Sequence, residues 1–197
     1  MKLAIIQPIV PVYREDFFIE LSRYVDFDIF VFKRQELCKK EQTNVSSLST
    51  IYVKNKIVKG LLFYDMLPLL KGSYDGFVLM QSASHVSTWF LLLSKFIHRK
   101  KIILWGHGIS ISKYEKEQVK PNLFRKIQIM LSDGLWLYMN KEKEIWSKWL
   151  PSLPIVALNN TISGADRIAS YDVLTTKEFL KNKYRIPQEK VIIFCAR

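Results

Sequence analysis

Residues 101–108 read KIILWGHG. From Ile102 to Trp105 the side chains are apolar without alternation, as in a strand covered on both faces, and the run stops at a histidine between two glycines. Runs of similar length recur at 2–8 (KLAIIQP), 27–33 (FDIFVFK), 49–55 (STIYVKN), 76–83 (GFVLMQSA), 135–139 (LWLYM) and 154–160 (PIVALNN). Stripes of helical spacing separate them. Val86, Trp89, Phe90, Leu93, Phe96 and Ile97 share one face of a helix expected over 85–100, and Phe17, Phe18, Leu21 and Val25 share another. A third joins Leu123, Ile127, Met130 and Leu131. Asn140 is placed to cap a helix carrying Ile145, Trp146 and Trp149, with Glu142 in the first turn where the helix dipole favours it. Strand and helix alternating for about 160 residues predict an α/β fold, a doubly wound, Rossmann-like parallel sheet with right-handed crossovers.

The composition bounds the function classes. The chain has 197 residues, 49% hydrophobic, enough for a substantial core, and 30 Lys and Arg against 18 Asp and Glu give +12. That balance favours anionic partners: a phosphorylated small molecule, a membrane surface or nucleic acid. Nucleic acid is set aside because no binding motif appears and the aromatics sit on core stripes. Cys38 and Cys195 have no Cys or His company at metal-ligand spacing, so no metal or disulfide framework is expected. Gln7, Pro8 and Pro11 interrupt the first apolar run, which reads as a strand rather than a signal peptide. The longest apolar stretch, 86–98, contains Ser94 and Lys95 and is shorter than the roughly 18–20 residues of a bilayer span. The expected compartment is the cytoplasm.

Ligands of such sheets bind beyond the carboxyl ends of the strands. Gly106, His107 and Gly108 end one strand and bring an imidazole to that edge, either for function or as a turn with local packing. Ser84 and His85 end another, as ligand donors or as caps of the next helix. Tyr13 and Arg14 follow the first strand, where a dinucleotide-binding GxGxxG is absent; they meet an anion at the helix start or form a charged first turn with Glu15 and Asp16. Residues 54–71 mix Lys54, Lys56, Lys59 and Lys71 with bulky apolar residues, as in a helix docked on anionic lipid or an ordinary core helix with a solvated edge. His98 reads as a solvated face residue, and Asp133 and Asp166 have no evident partner.

After Ile162 the rhythm breaks. Ser163-Gly164 and a polar stretch read as a linker, and a helix near Thr175 or Thr176 carries Phe179, Leu180 and Tyr184 up to Pro187. The chain closes on a further strand, KVIIFCAR. The expected layout is thus a domain over 1–163, a linker and helix over 164–190, and over 191–197 the first strand of a missing second domain.

In order, these segments resemble the N-terminal domain of a GT-B glycosyltransferase close to the retaining family 4 enzymes. The resemblance is carried by SDGLWLYMNKEKEIWSKWL, LPIVALNNTI and YRIPQEKVIIFCAR and spans nearly the whole chain. It implies a hexosyl transferase of cell-surface polysaccharide synthesis, moving sugar from a nucleotide-sugar donor to a glycan or lipid-linked acceptor held on this domain, at the inner face of the membrane. By the same resemblance His107 lies beside the donor sugar, with Gly106 and Gly108, and Arg197 meets the donor diphosphate. Asn159 and Asn160 stand where the family has asparagine and glycine; Asn160, Tyr13, Arg14, Ser84 and His85 are cleft or acceptor candidates. No cofactor is implied. The usual glycines after the first strand are absent, and the donor-binding domain would come from beyond residue 197 or from a partner subunit, so this chain alone is expected to be inactive. The alternatives are a non-catalytic subunit of a split transferase that docks membrane or partner, and a fragment of a GT-B sugar epimerase.

Overall fold

The computed structural model describes residues 1–33, 48–110, 114–119, 121–159 and 177–185. The chain forms two compact units, Met1–Ser163 and Gly164–Arg197. In the first, β1 (Lys2–Gln7), β2 (Asp26–Val31), β3 (Ile51–Tyr52), β6 (Gly76–Met80), β7 (Lys101–Gly106), β8 (Gly134–Leu137) and β9 (Ile155–Ala157) make one parallel sheet. The order is β3-β2-β1-β6-β7-β8-β9. β1 pairs with β2 through Ile5↔Ile29 and with β6 through Ile5↔Val78, so the chain winds one way from β1 and the other way from β6. This is the doubly wound, Rossmann-like α/β fold.

The unbroken apolar runs follow from this burial. Along β1, Ala4 and Ile6 face a core with Phe77, Leu79, Leu104, Leu135 and Trp146, while Leu3 and Ile5 face a second core with Phe18, Val78 and Trp105. Side chains alternate between faces, and both faces are dry, so no polar alternation is needed. α1 (Glu15–Leu21) covers the second core with Phe18. α3 (Val86–Leu93), α4 (Lys95–His98), α6 (Leu123–Met130) and α7 (Asn140–Trp149) connect the strands from β6 to β9, and Leu91, Ile129 and Trp146 carry them into the first core.

Three local expectations are corrected. Residues 54–71 are not a helix: β4 (Asn55–Val58) and β5 (Leu61–Tyr64) form an antiparallel hairpin, followed by the short α2 (Leu67–Lys71). Lys59 and Gly60 both take positive φ, 50° and 79°, the two-residue turn whose twist suits a tight hairpin. The strand expected over 49–55 is likewise reduced to Ile51–Tyr52.

The helix expected over 85–100 is two pieces. Ser94 lies between them, its hydroxyl donating back to the Phe90 carbonyl at 2.7 Å. Its buried face is Ser87, Thr88, Leu91 and Leu92, not the large apolar stripe. The hairpin makes burying the two polar residues possible. The Ser87 hydroxyl donates to the Tyr64 carbonyl at 2.8 Å and accepts from the Tyr64 N–H at 2.9 Å, and Thr88 bonds the Tyr64 phenol at 3.0 Å. α6 is rotated in the same sense, with Gln128 and Ile129 inward and Leu123, Ile127 and Met130 outward.

Smaller differences follow the same logic. His98 is not simply solvated, since its Nε2 lies 2.9 Å from the Leu91 carbonyl and its ring packs on Phe77. Asp133 accepts from the Ile102 N–H at 2.9 Å and pairs with Lys95 at 3.1 Å. Asn140 is the first residue of α7 rather than its cap. In the second unit the described residues are α8 (Lys177–Tyr184) and Arg185. The linker residues 164–176, the strand over 191–197, Asn160, Asp166 and Arg197 lie outside the described residues.

Candidate functional site

Because the strand order reverses beside β1, the loops leaving β1 and β6 run in opposite directions and leave a crevice at their carboxyl ends. A cleft of about 780 Å³ opens there. Tyr13 and Arg14 line it from the segment after β1, Ser82 from the end of β6, Gly106 and His107 from β7, Tyr138 from β8, and Arg125 from α6.

His107 is held from behind. Its Nδ1 lies 2.9 Å from Glu142 Oε1, and Glu142, at 1% exposure, accepts from the Met139 N–H through Oε2 at 3.2 Å. A carboxylate oxygen accepts, so Nδ1 is the donor and Nε2 is left to the cleft. The Tyr138 ring packs on the imidazole, centroid to centroid 4.5 Å. An imidazole with one nitrogen fixed by a buried carboxylate and the other facing a cavity can accept or deliver a proton, or accept a hydroxyl's hydrogen bond.

Arg14 is the second anchored group. Its guanidinium donates to Gln7 Oε1 at 2.7 Å and to the Tyr138 phenol at 2.8 Å, and lies over the Trp105 ring at 4.9 Å. Among the described residues no carboxylate pairs with it. The charge is therefore oriented by neutral acceptors and aromatic faces, which leaves it for an anionic ligand. Arg14 does precede α1, whose first turn carries Glu15 and Asp16, but its guanidinium is directed to Gln7 and Tyr138. Burial pushes the Tyr138 phenol up, against the opposing pull of Arg14, so it stays a neutral hydroxyl bridging Arg14 and the face of His107.

Arg125 differs. It pairs at 3.2 Å with the buried Glu117 on α5 (Tyr114–Val119), and the same carboxylate oxygen accepts from the Ser110 N–H at 2.9 Å. This ties the loop after β7 to α6. Gln128 adds a bond from α6 to the end of β6, donating to the Ser82 carbonyl at 3.0 Å. Among the described residues no group of three or more His, Cys, Asp or Glu is placed to hold a metal ion.

The structure thus brings Tyr13, Arg14, Gly106 and His107 together. Gly108 sits just behind the cleft, buried against Trp146. Ser84 and His85 do not line it: the two hydroxyls of Ser82 and Ser84 bond at 2.9 Å, the Ser84 carbonyl accepts from the Leu62 N–H, and His85 packs edge-on to Phe32. Burial holds the His85 imidazole below its ordinary 6.5. The unfolded chain then binds a proton that the fold rejects, so this contribution is complete above pH 6.5 and is lost as pH falls towards the lower folded value. His85→Gln should flatten the dependence of the thermal midpoint on pH below 6.5; an unchanged slope would show that His85 does not carry it.

Glu142, Tyr138, Gln7 and Arg125 belong to the site without having been singled out for it. Glu142 is recognisable in sequence only as a first-turn acid, because its partner lies 35 residues away on a neighbouring strand end. No family model matches the chain, and no curated protein matches it.

Proposed function

We propose that this chain is the acceptor-side domain of a glycosyltransferase that takes sugar from a nucleotide-sugar and places it on an acidic glycan or lipid-linked acceptor. The observation that carries this reading is Arg14, a cation with no carboxylate partner among the described residues, sharing Tyr138 with the Glu142-held His107 at the cleft wall. Arg14 supplies the charge that fixes an acceptor phosphate or carboxylate. His107 supplies an oriented ring nitrogen for a sugar or acceptor hydroxyl. Further support comes from the strand-end position of these groups and from the order of the sequence motifs. Diphosphate binding by Arg197 and completion of the donor site by a second domain or partner subunit are parts of the same proposal, as is action at the cytoplasmic face of a membrane. Among the described residues no helix is long and apolar enough to cross a membrane, and contact with lipid would be peripheral.

The test is a panel of labelled UDP-, GDP-, dTDP- and CMP-sugars, incubated with the protein expressed from its complete reading frame, together with any co-encoded α/β partner, and a lipid extract. Incorporation into a lipid or glycan fraction that falls at least about tenfold on Arg14→Met supports the reading. Consumption of no sugar in the panel overturns it. Incorporation unaffected by Arg14→Met would remove the role given to Arg14.

A further inference from the structure

We infer that the outer face of α3, α4 and α6 is a docking surface for an anionic lipid bilayer. This rests on the membrane part of the reading above and not on sugar transfer. Phe90 and Leu93 on α3 and Phe96 and Ile97 on α4 point outward, the last two 78% and 70% exposed. On α6, Leu123 and Phe124 are each 66% exposed, with Met130 beyond them. These are the large apolar residues that a core would claim, yet the inward positions hold Ser87, Thr88 and Gln128 beside Leu91, Leu92 and Ile129.

The two groups form one surface. The crossovers from β6 to β7 and from β7 to β8 run the same way across the sheet, which puts their helices on one face. Leu91, Leu92 and Ile129, on the inner sides, meet in one core cluster. Lys95, at the start of α4, donates to the Leu131 carbonyl just after α6 at 3.2 Å. A contiguous exposed apolar surface of this kind marks an interaction site.

Charge selects the occupant. Residues 86–101 and 121–132 contain no Asp or Glu and carry Lys95, Arg99, Lys100, Lys101, Arg125 and Lys126. Asp133 offsets Lys95 and Lys101, Glu117 offsets Arg125, and the Lys100 ammonium donates inward to the Gly72 and Tyr74 carbonyls, which leaves the exposed Arg99 and, at the flank over Trp149, Lys126. A second copy of the chain would set this basic rim against itself. An anionic headgroup layer complements it while its acyl boundary receives the apolar side chains. The hairpin of 55–64, part of the stretch whose sequence suggests lipid docking, lies outside this surface.

The test is co-sedimentation of the purified chain with vesicles of phosphatidylcholine alone and with about one-third phosphatidylglycerol. Binding to the anionic vesicles only is expected, falling at least about tenfold for Phe96→Ser with Ile97→Ser and for Leu123→Ser with Phe124→Ser, and several-fold for Lys126→Glu. The four apolar side chains lie at the outer face and Lys126 at its flank, over the Trp149 ring, and thermal midpoints verify folding. Ile57→Ser on the hairpin should bind as the unaltered chain does. Failure to bind anionic vesicles, loss of binding in Ile57→Ser alone, or a dimer that the Phe96 and Ile97 substitutions dissociate would each overturn the assignment. Because the assay involves no sugar, a protein that binds vesicles but transfers nothing, or the reverse, separates this inference from the transferase reading.

Discussion

Under the proposed sugar transfer, Glu142→Gln in the protein expressed from its complete reading frame is expected to lower the transfer rate by about 10²-fold, and His107→Ala by about 10²–10⁴-fold, the range of a positioned acid–base group. The reason lies in the bond between them. Glu142 is buried and fixes Nδ1 at 2.9 Å; an amide offers either a donor facing a donor or a weaker acceptor, so the tautomer and the ring angle are lost together. Volume is nearly unchanged, and the α7 start keeps its acceptor for Met139 if the amide oxygen turns that way. The deciding measurement is the double variant. If Glu142 acts through His107, His107→Ala with Glu142→Gln is no slower than His107→Ala alone; if Glu142 serves only the fold, the losses multiply. Full rate in either single variant would remove the pair from the mechanism.

Gly108→Ala should cost about 2–5 kcal/mol, combining about 1–2 for a left-handed residue and about 1–3 for overpacking. Gly108 has φ +67°, and a Cβ there would stand 2.4 Å from Trp146 Nε1 and 3.0 Å from Leu137 Cδ2. Trp146 is fully buried and cannot step aside cheaply. In a chain of this size the loss is a fall of about 4–20 °C in the thermal midpoint. Trp146→Phe made together with Gly108→Ala should recover part of it, because the clash is with the indole edge. A midpoint that stays within a degree or so would show that the loop simply shifts. Such a shift would move His107, one residue earlier, so rate and stability should be measured on the same preparation.

The sheet was legible because strands buried on both faces leave the strongest trace available to a single sequence: apolar runs without period. The cleft was half legible. His107 and Arg14 stand beside strand ends, where position alone nominates them, but Glu142 and Tyr138 join them only through pairing of β7 with β8. Two helix faces are the reverse of what hydrophobic spacing predicts, for a physical reason. Hydrophobicity assigns Phe90, Leu93 and Phe96 to the core, whereas in the fold Ser87 and Thr88 are the better inward residues because Tyr64 satisfies their hydroxyls. The hairpin leaves little trace in the sequence, since Lys59-Gly60 is a weaker turn signal than Asn-Gly or Asp-Gly.

The central place of β1 also bears on how the chain is made. β1 pairs with β6 as well as β2, yet β6 follows it by about seventy residues, which at about 5–20 residues per second is roughly 4–15 s of synthesis. Over that interval the Leu3–Ile6 segment can pair with β2 but has no neighbour on its other edge. An open apolar strand edge is a template for the wrong chain. Yield in cells should therefore depend on chaperone supply and on translation speed across residues 33–75 more than on the stability of the finished fold.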